Sequence, residues 1–174
     1  QIFDELKEHF VSLGSVLTEE DFLGAVSKDK STQNHVHFLL VLGDAFLRNK
    51  EDDQFRLRWS VDKETGEKVH KALAALYQGL APKDLISENE MLDAFKKRLG
   101  AVAPEYSSND TFFRWLRLSK VIGRNQLGEW GLAASPNIKI RGIRDYAYLV
   151  IRRHGSPLHF AEVAKLIVGV FGHP

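Results

Sequence analysis

The chain has 174 residues, 44% of them hydrophobic and 27% charged, and carries a net charge of +1. That hydrophobic share suits a packed globular body and argues against global disorder. The lack of cysteine excludes a disulfide framework, a thiolate zinc site and a cysteine nucleophile. It also fits a reducing, cytoplasmic setting.

The longest apolar stretch of note, "HFLLVLGDAFL", is too short for a bilayer span, so no membrane partner is expected. The chain opens at "QIFDELKEHF" without Met and without a signal-peptide pattern, so it reads as a piece of a longer protein. The small net charge hides a gradient. Residues 1–60 hold 7 Lys+Arg against 11 Asp+Glu, residues 61–133 hold 11 against 10, and residues 134–174 hold 6 against 2. Such asymmetry points to segments that face different partners.

In chain order, "HFVSLGSVLTEEDFLGAV" predicts a helix end, a turn at Gly14 and a second helix opened by Thr18, with Asp21 three residues on as in a capping box. A polar-started helix over roughly 31–42 follows, then "AFLRN", a charged turn "KEDD" and the run "QFRLRWSV". In that run Phe55, Leu57 and Trp59 alternate with Arg56 and Arg58, the period-two pattern of a half-buried strand. Helix, helix, helix and hairpin is the order of a winged helix.

The pattern recurs. "LAALYQGLAPKDLISENEMLDAFKKRL" predicts a helix, a break at Gly79 and Pro82, and a helix with Ser87 at its cap, Glu90 following and Met91, Leu92, Phe95 and Leu99 on one face. A helix over about 109–116 leads into "SKVIGR", a turn "NQLG" and "EWGLA", where Trp130 takes the place that Trp59 holds in the first hairpin. After "SPNIKIRG", a third unit supplies only two helices, "YAYLVIRRHG" and the one after Pro157. The expected fold is therefore mainly α with small β-hairpins (α+β), in tandem winged-helix units at 1–62, 63–134 and a truncated 135–174.

The last segment, "IRDYAYLVIRRHGSPLHFAEVAKLIVGVFGHP", resembles the first half of a HARE-HTH domain. The resemblance rests on the G-x-P-L-H-F turn from Gly155 to Phe160, the small-and-apolar helix after it and the closing His173-Pro174. It covers about 33 of the 174 residues. In that company the whole chain looks like the tail of bacterial sigma-factor-like transcription proteins. The resemblance implies a nucleoid-associated transcription role, with duplex DNA, RNA polymerase or another transcription protein as partner.

Motifs for chemistry are absent: no phosphate-binding G-x-x-x-x-G-K-[ST], no G-x-G-x-x-G, no G-x-S-x-G and no H-E-x-x-H. His35 and His37 lie two apart; on a helix they would point about 200° apart, too far to share a metal, whereas on a strand they could. His159 reads as a structural residue of its turn. No enzymatic activity, cofactor or small-molecule substrate is expected.

Binding is the better case. In a winged helix the third helix enters the major groove and the wing touches the backbone. Gln33, Asn34 and His35 would then read base edges, and Arg48, Lys50, Arg56 and Arg58 would meet phosphates. Arg114, Arg117, Lys120 and Arg124 are the second unit's candidates, and Arg152 and Arg153, with Arg141 and Arg144, the third's. The acidic tip "EDD" and the negative first segment oppose this. The alternative is a protein-docking module that binds no DNA.

Overall fold

The computed structural model describes residues 1–172, so the His173-Pro174 part of the resemblance lies outside the described residues. The protein is 56% helical and 10% strand, mainly α with small antiparallel sheets. It divides into two compact bodies, one of Gln1–Gly79 with Asn89–Ile122, the other of Leu80–Glu88 with the residues from Gly123 on. The sequence boundaries at 62 and 134 fall inside these bodies.

In the first body, α1 (Ile2–Leu13) buries Phe10 and stops because Gly14 and Ser15 both take positive φ, 130° and 64°. That reversal lays Val16–Thr18 down as β1, three buried residues that the sequence pattern had suggested only as a turn. Thr18 then caps α2 (Glu19–Val26), its hydroxyl accepting from Asp21 N–H at 3.0 Å. Asp29 caps α3 (Lys30–Leu42) by accepting from Thr32 N–H at 2.8 Å. Charge on Asp29 is favoured by these bonds to Thr32, which hold its pKa below the usual carboxylate value.

β2 (Leu47–Asn49) and β3 (Arg58–Ser60) complete an antiparallel sheet of order β1-β3-β2, in which Leu17 and Arg48 flank Trp59. Phe10, Leu17, Phe22, Val36, Leu40, Phe46 and Trp59 form one core cluster. Each such aliphatic or phenyl side chain contributes about 1.5–3 kcal/mol on full burial.

The alternating run "QFRLRWSV" is a strand only over its last part. Asp52 accepts from the N–H groups of Gln54 and Phe55, at 2.8 and 2.7 Å, and this turn carries Phe55 away from β2. Phe55 instead makes an isolated bridge with Ser119, and Arg56 N–H donates to Leu118 O at 2.9 Å. A neighbouring segment takes the backbone partners that period two alone would assign to the hairpin.

Three further helices follow: α4 (Lys63–Gln78), α5 (Glu88–Leu99) and α6 (Asn109–Leu116), the last capped by Ser108. Val69, Ala72, Leu73 and Leu76 line the buried face of α4 at helical spacing. A short 3-10 turn, Pro104–Tyr106, brings the Tyr106 hydroxyl into a hydrogen bond with that of Ser15. Trp115, fully buried, packs edge-on against Tyr106 and Phe112.

The second body holds a hairpin of β4 (Ile122–Arg124) and β5 (Trp130–Leu132). Its turn is organised by Asn125, whose Oδ1 accepts from the N–H groups of Leu127 and Glu129, with Gly128 at φ 80°. Ile86 bridges Trp130 as Leu17 bridges Trp59, so the two tryptophans share a place in their ladders. A Cβ on Gly131 would meet Asp84 O at 2.5 Å, which keeps that position glycine. α7 (Ile143–His154) ends on Gly155 in the left-handed region. α8 (Phe160–Phe171) opens on a capping box of His159 and Glu162 and packs against α7 through Leu149, Val150, Ile167 and a Tyr146–Phe171 edge contact.

Candidate interaction site

α3 presents two faces of opposite character. Val36 and Leu40 are buried, while Asn34, His35, Phe38, Val41 and Leu42 lie on the solvent side at i, i+1, i+4, i+7 and i+8. Phe38 is 60% exposed, Val41 58% and Leu42 54%. Of the candidate base readers, Asn34 and His35 share this apolar face. Gln33 turns inward, its Nε2 donating to Ser27 O at 2.7 Å. His37 faces Glu19 at 3.4 Å on the other side of the helix, so the two histidines are not brought together.

The candidate phosphate contacts divide sharply. Arg56 Nη1 donates to the carbonyls of Arg117 and Ser119, both at 2.6 Å. Arg114 Nε donates to Leu13 O at 2.8 Å, and Arg117 pairs with Asp21 at 3.0 Å. Lys120 reaches Glu51 at 2.6 Å and Asp52 O at 2.9 Å. These four hold the first body's own segments together, a role that sequence spacing does not register because every partner is 61 or more residues away.

In the second body Arg124 pairs with Glu88 at 2.9 Å and Arg152 with Glu129 at 2.6 Å. Arg153 is exposed beside them. Arg48 and Lys50 are exposed on and beside β2, with no ion pair among the described residues. Arg58 is half-buried, its guanidinium lying 4.9 Å over the Phe55 ring. Burial pushes its pKa below the usual arginine value, with Asp52 opposing. His70 stacks on the same Phe55 ring, 4.1 Å between centroids. Its pKa is lowered first by burial and then by Arg58, against an upward pull from Asp52.

Among the described residues, no group of three or more His, Cys, Asp or Glu is placed to hold a metal ion. No helix among them is long and apolar enough to cross a membrane. His159 acts as a helix cap, its Nδ1 accepting from Ala161 N–H at 3.3 Å. What the geometry offers is therefore surface: an apolar helix face on α3 and a small group of cations on β2, β3 and the start of α4. No family model, no curated protein and no solved structure matches this chain.

Proposed function

We propose that this chain is a non-catalytic docking module of the transcription machinery, built from tandem winged helices and working in the bacterial cytoplasm. In this reading the first unit runs α1, β1, α2, α3, β2 and β3, the order and β1-β3-β2 pairing that a winged helix requires. The second repeats it with Ile86 standing for the first strand, and α7 and α8 open a third of the HARE-HTH type. RNA polymerase or a protein bound to it is the partner.

The observation that carries the docking reading is the outward face of α3. A helix built to lie in a major groove presents polar and basic side chains to base edges and phosphates. Here the face beyond Asn34 and His35 is Phe38, Val41 and Leu42, an exposed apolar patch of the kind that marks protein contact. The internal bonds of Arg56, Arg114, Arg117 and Lys120 also leave fewer cations for a phosphate backbone.

Purified RNA polymerase core titrated with the wild-type chain and with Phe38→Glu tests this. Binding that the substitution abolishes supports docking through α3. Salt-sensitive binding to duplex DNA that survives Phe38→Glu, with no polymerase binding, returns the chain to the DNA reading.

A further inference from the structure

A cavity of about 560 Å³ opens in the first body between the β2–β3 side of the sheet and the first half of α4. Arg48 and Arg58 line it from the sheet, and Lys63, His70 and Lys71 line it from α4. Glu67 is the one carboxylate in that lining, and it already faces Lys63 at 3.9 Å. Four Lys/Arg against one Glu gives the cavity a formal charge of +3 with His70 neutral. Residues 1–60, which supply its sheet wall, carry 7 Lys+Arg against 11 Asp+Glu. The positive pocket is a local reversal of its surroundings.

The cations are also under-partnered. Arg48, Arg58 and Lys71 have no carboxylate within ion-pair distance among the described residues. The Arg58 guanidinium is fixed over Phe55 and donates to Arg56 O at 3.3 Å, which orients it while leaving further N–H groups for an acceptor. Asp52 acts on the half-buried Arg58 guanidinium without forming an ion pair with it, so a bound phosphoryl oxygen would add the direct charge-assisted bond that burial makes valuable.

We infer that this pocket binds a compact polyphosphate anion, either inorganic pyrophosphate or the diphosphate of a nucleotide. Charges on two facing walls converge on one volume, whereas a duplex backbone is met by cations spread along a stripe. The volume falls within the range of small-molecule sites, about 300–1,000 Å³. Exposed Leu47 at the cavity wall offers apolar surface for a base. This departs from the expectation of no small-molecule ligand. It is also independent of the docking reading, since no α3 residue lines the cavity.

Calorimetric titration of the full chain with sodium pyrophosphate, ADP and adenosine tests it. Saturable one-to-one binding of pyrophosphate or ADP, with none of adenosine, supports the site. ADP binding tighter than pyrophosphate identifies a nucleotide ligand, and equal affinities identify the bare phosphate chain. Lys71→Gln, a change at an exposed helix position, lowers affinity by about tenfold or more, as loss of a charge-assisted bond does. Arg58→Gln lowers it further, while Phe38→Glu leaves it unchanged. The absence of saturable binding overturns the inference, as does binding that Lys71→Gln and Arg58→Gln leave intact. So does binding confined to duplex DNA, with a salt slope that Arg58→Gln reduces.

Discussion

Trp115 Nε1 donates to the carbonyl of Gly14 at 3.0 Å, joining α6 to the turn that ends α1 across 101 residues. Gly14 sits at φ 130°, and a Cβ there would stand 2.9 Å from the same indole nitrogen. The turn is thus closed by an indole that fits only against a bare α-carbon. Arg114 strengthens the joint by reaching Leu13 O from the preceding residue.

Gly14→Ala is expected to destabilise the first body by about 1–3 kcal/mol, from backbone strain and the displaced indole. Urea denaturation followed by tryptophan fluorescence measures this. A Gly100→Ala control also sits at positive φ, 73°, but meets nothing within 4 Å of the added carbon. It gives the cost of a positive φ where no side chain is met, and a loss at Gly14 no larger than at Gly100 would remove the role given to Trp115.

Trp59→Ala and Trp130→Ala are each expected to cost about 3–5 kcal/mol, because both indoles are nearly fully buried. Trp59 carries in addition a bond from Nε1 to Glu19 at 2.9 Å, so Trp59→Phe should cost more than its lost volume alone. Thermal melts of the two variants check this. Wild-type melting in either would remove that tryptophan from the core.

His70 gives a pH dependence with a definite sign. Its folded pKa is lowered by burial and by Arg58. Below the unfolded value of about 6.5 the unfolded chain therefore binds a proton that the folded chain resists. Stability from this group is present above that value and falls as pH drops through the window below it. His70→Gln should flatten the unfolding free energy between pH 7 and the histidine's lowered pKa, as read from urea midpoints at stepped pH.

Arg56→Ala is expected to lower stability by about 1 kcal/mol through loss of its bonds to Arg117 O and Ser119 O. It should leave macromolecular binding unaltered. Arg48→Ala and Lys50→Ala, both at exposed positions, should leave stability unaltered instead. Reversed effects would return Arg56 to the surface role that its place in an alternating strand suggests.

Local chemistry made much of this protein legible. Thr18 and Gly155 mark helix ends because caps and left-handed turns are decided by the few residues that form them, whereas the Asp29 cap that starts α3 emerges only in the structure. The paired tryptophans and the turn at Asn125 and Gly128 placed the second hairpin for the same reason. Tertiary structure decided what those elements meet. β1 exists because Gly14 and Ser15 reverse the chain beside a strand 42 residues further on, and Phe55 leaves its ladder because Ser119 offers another. Arg56, Arg114, Arg117 and Lys120 looked like free cations because sequence gives charge without the carbonyls and carboxylates that reach it. The gathering of Arg48, Arg58, Lys63 and Lys71 around one cavity was equally hidden, since two come from a hairpin and two from a helix. Periodicity reports which side of an element faces inward, but only folding sets which two elements share a volume.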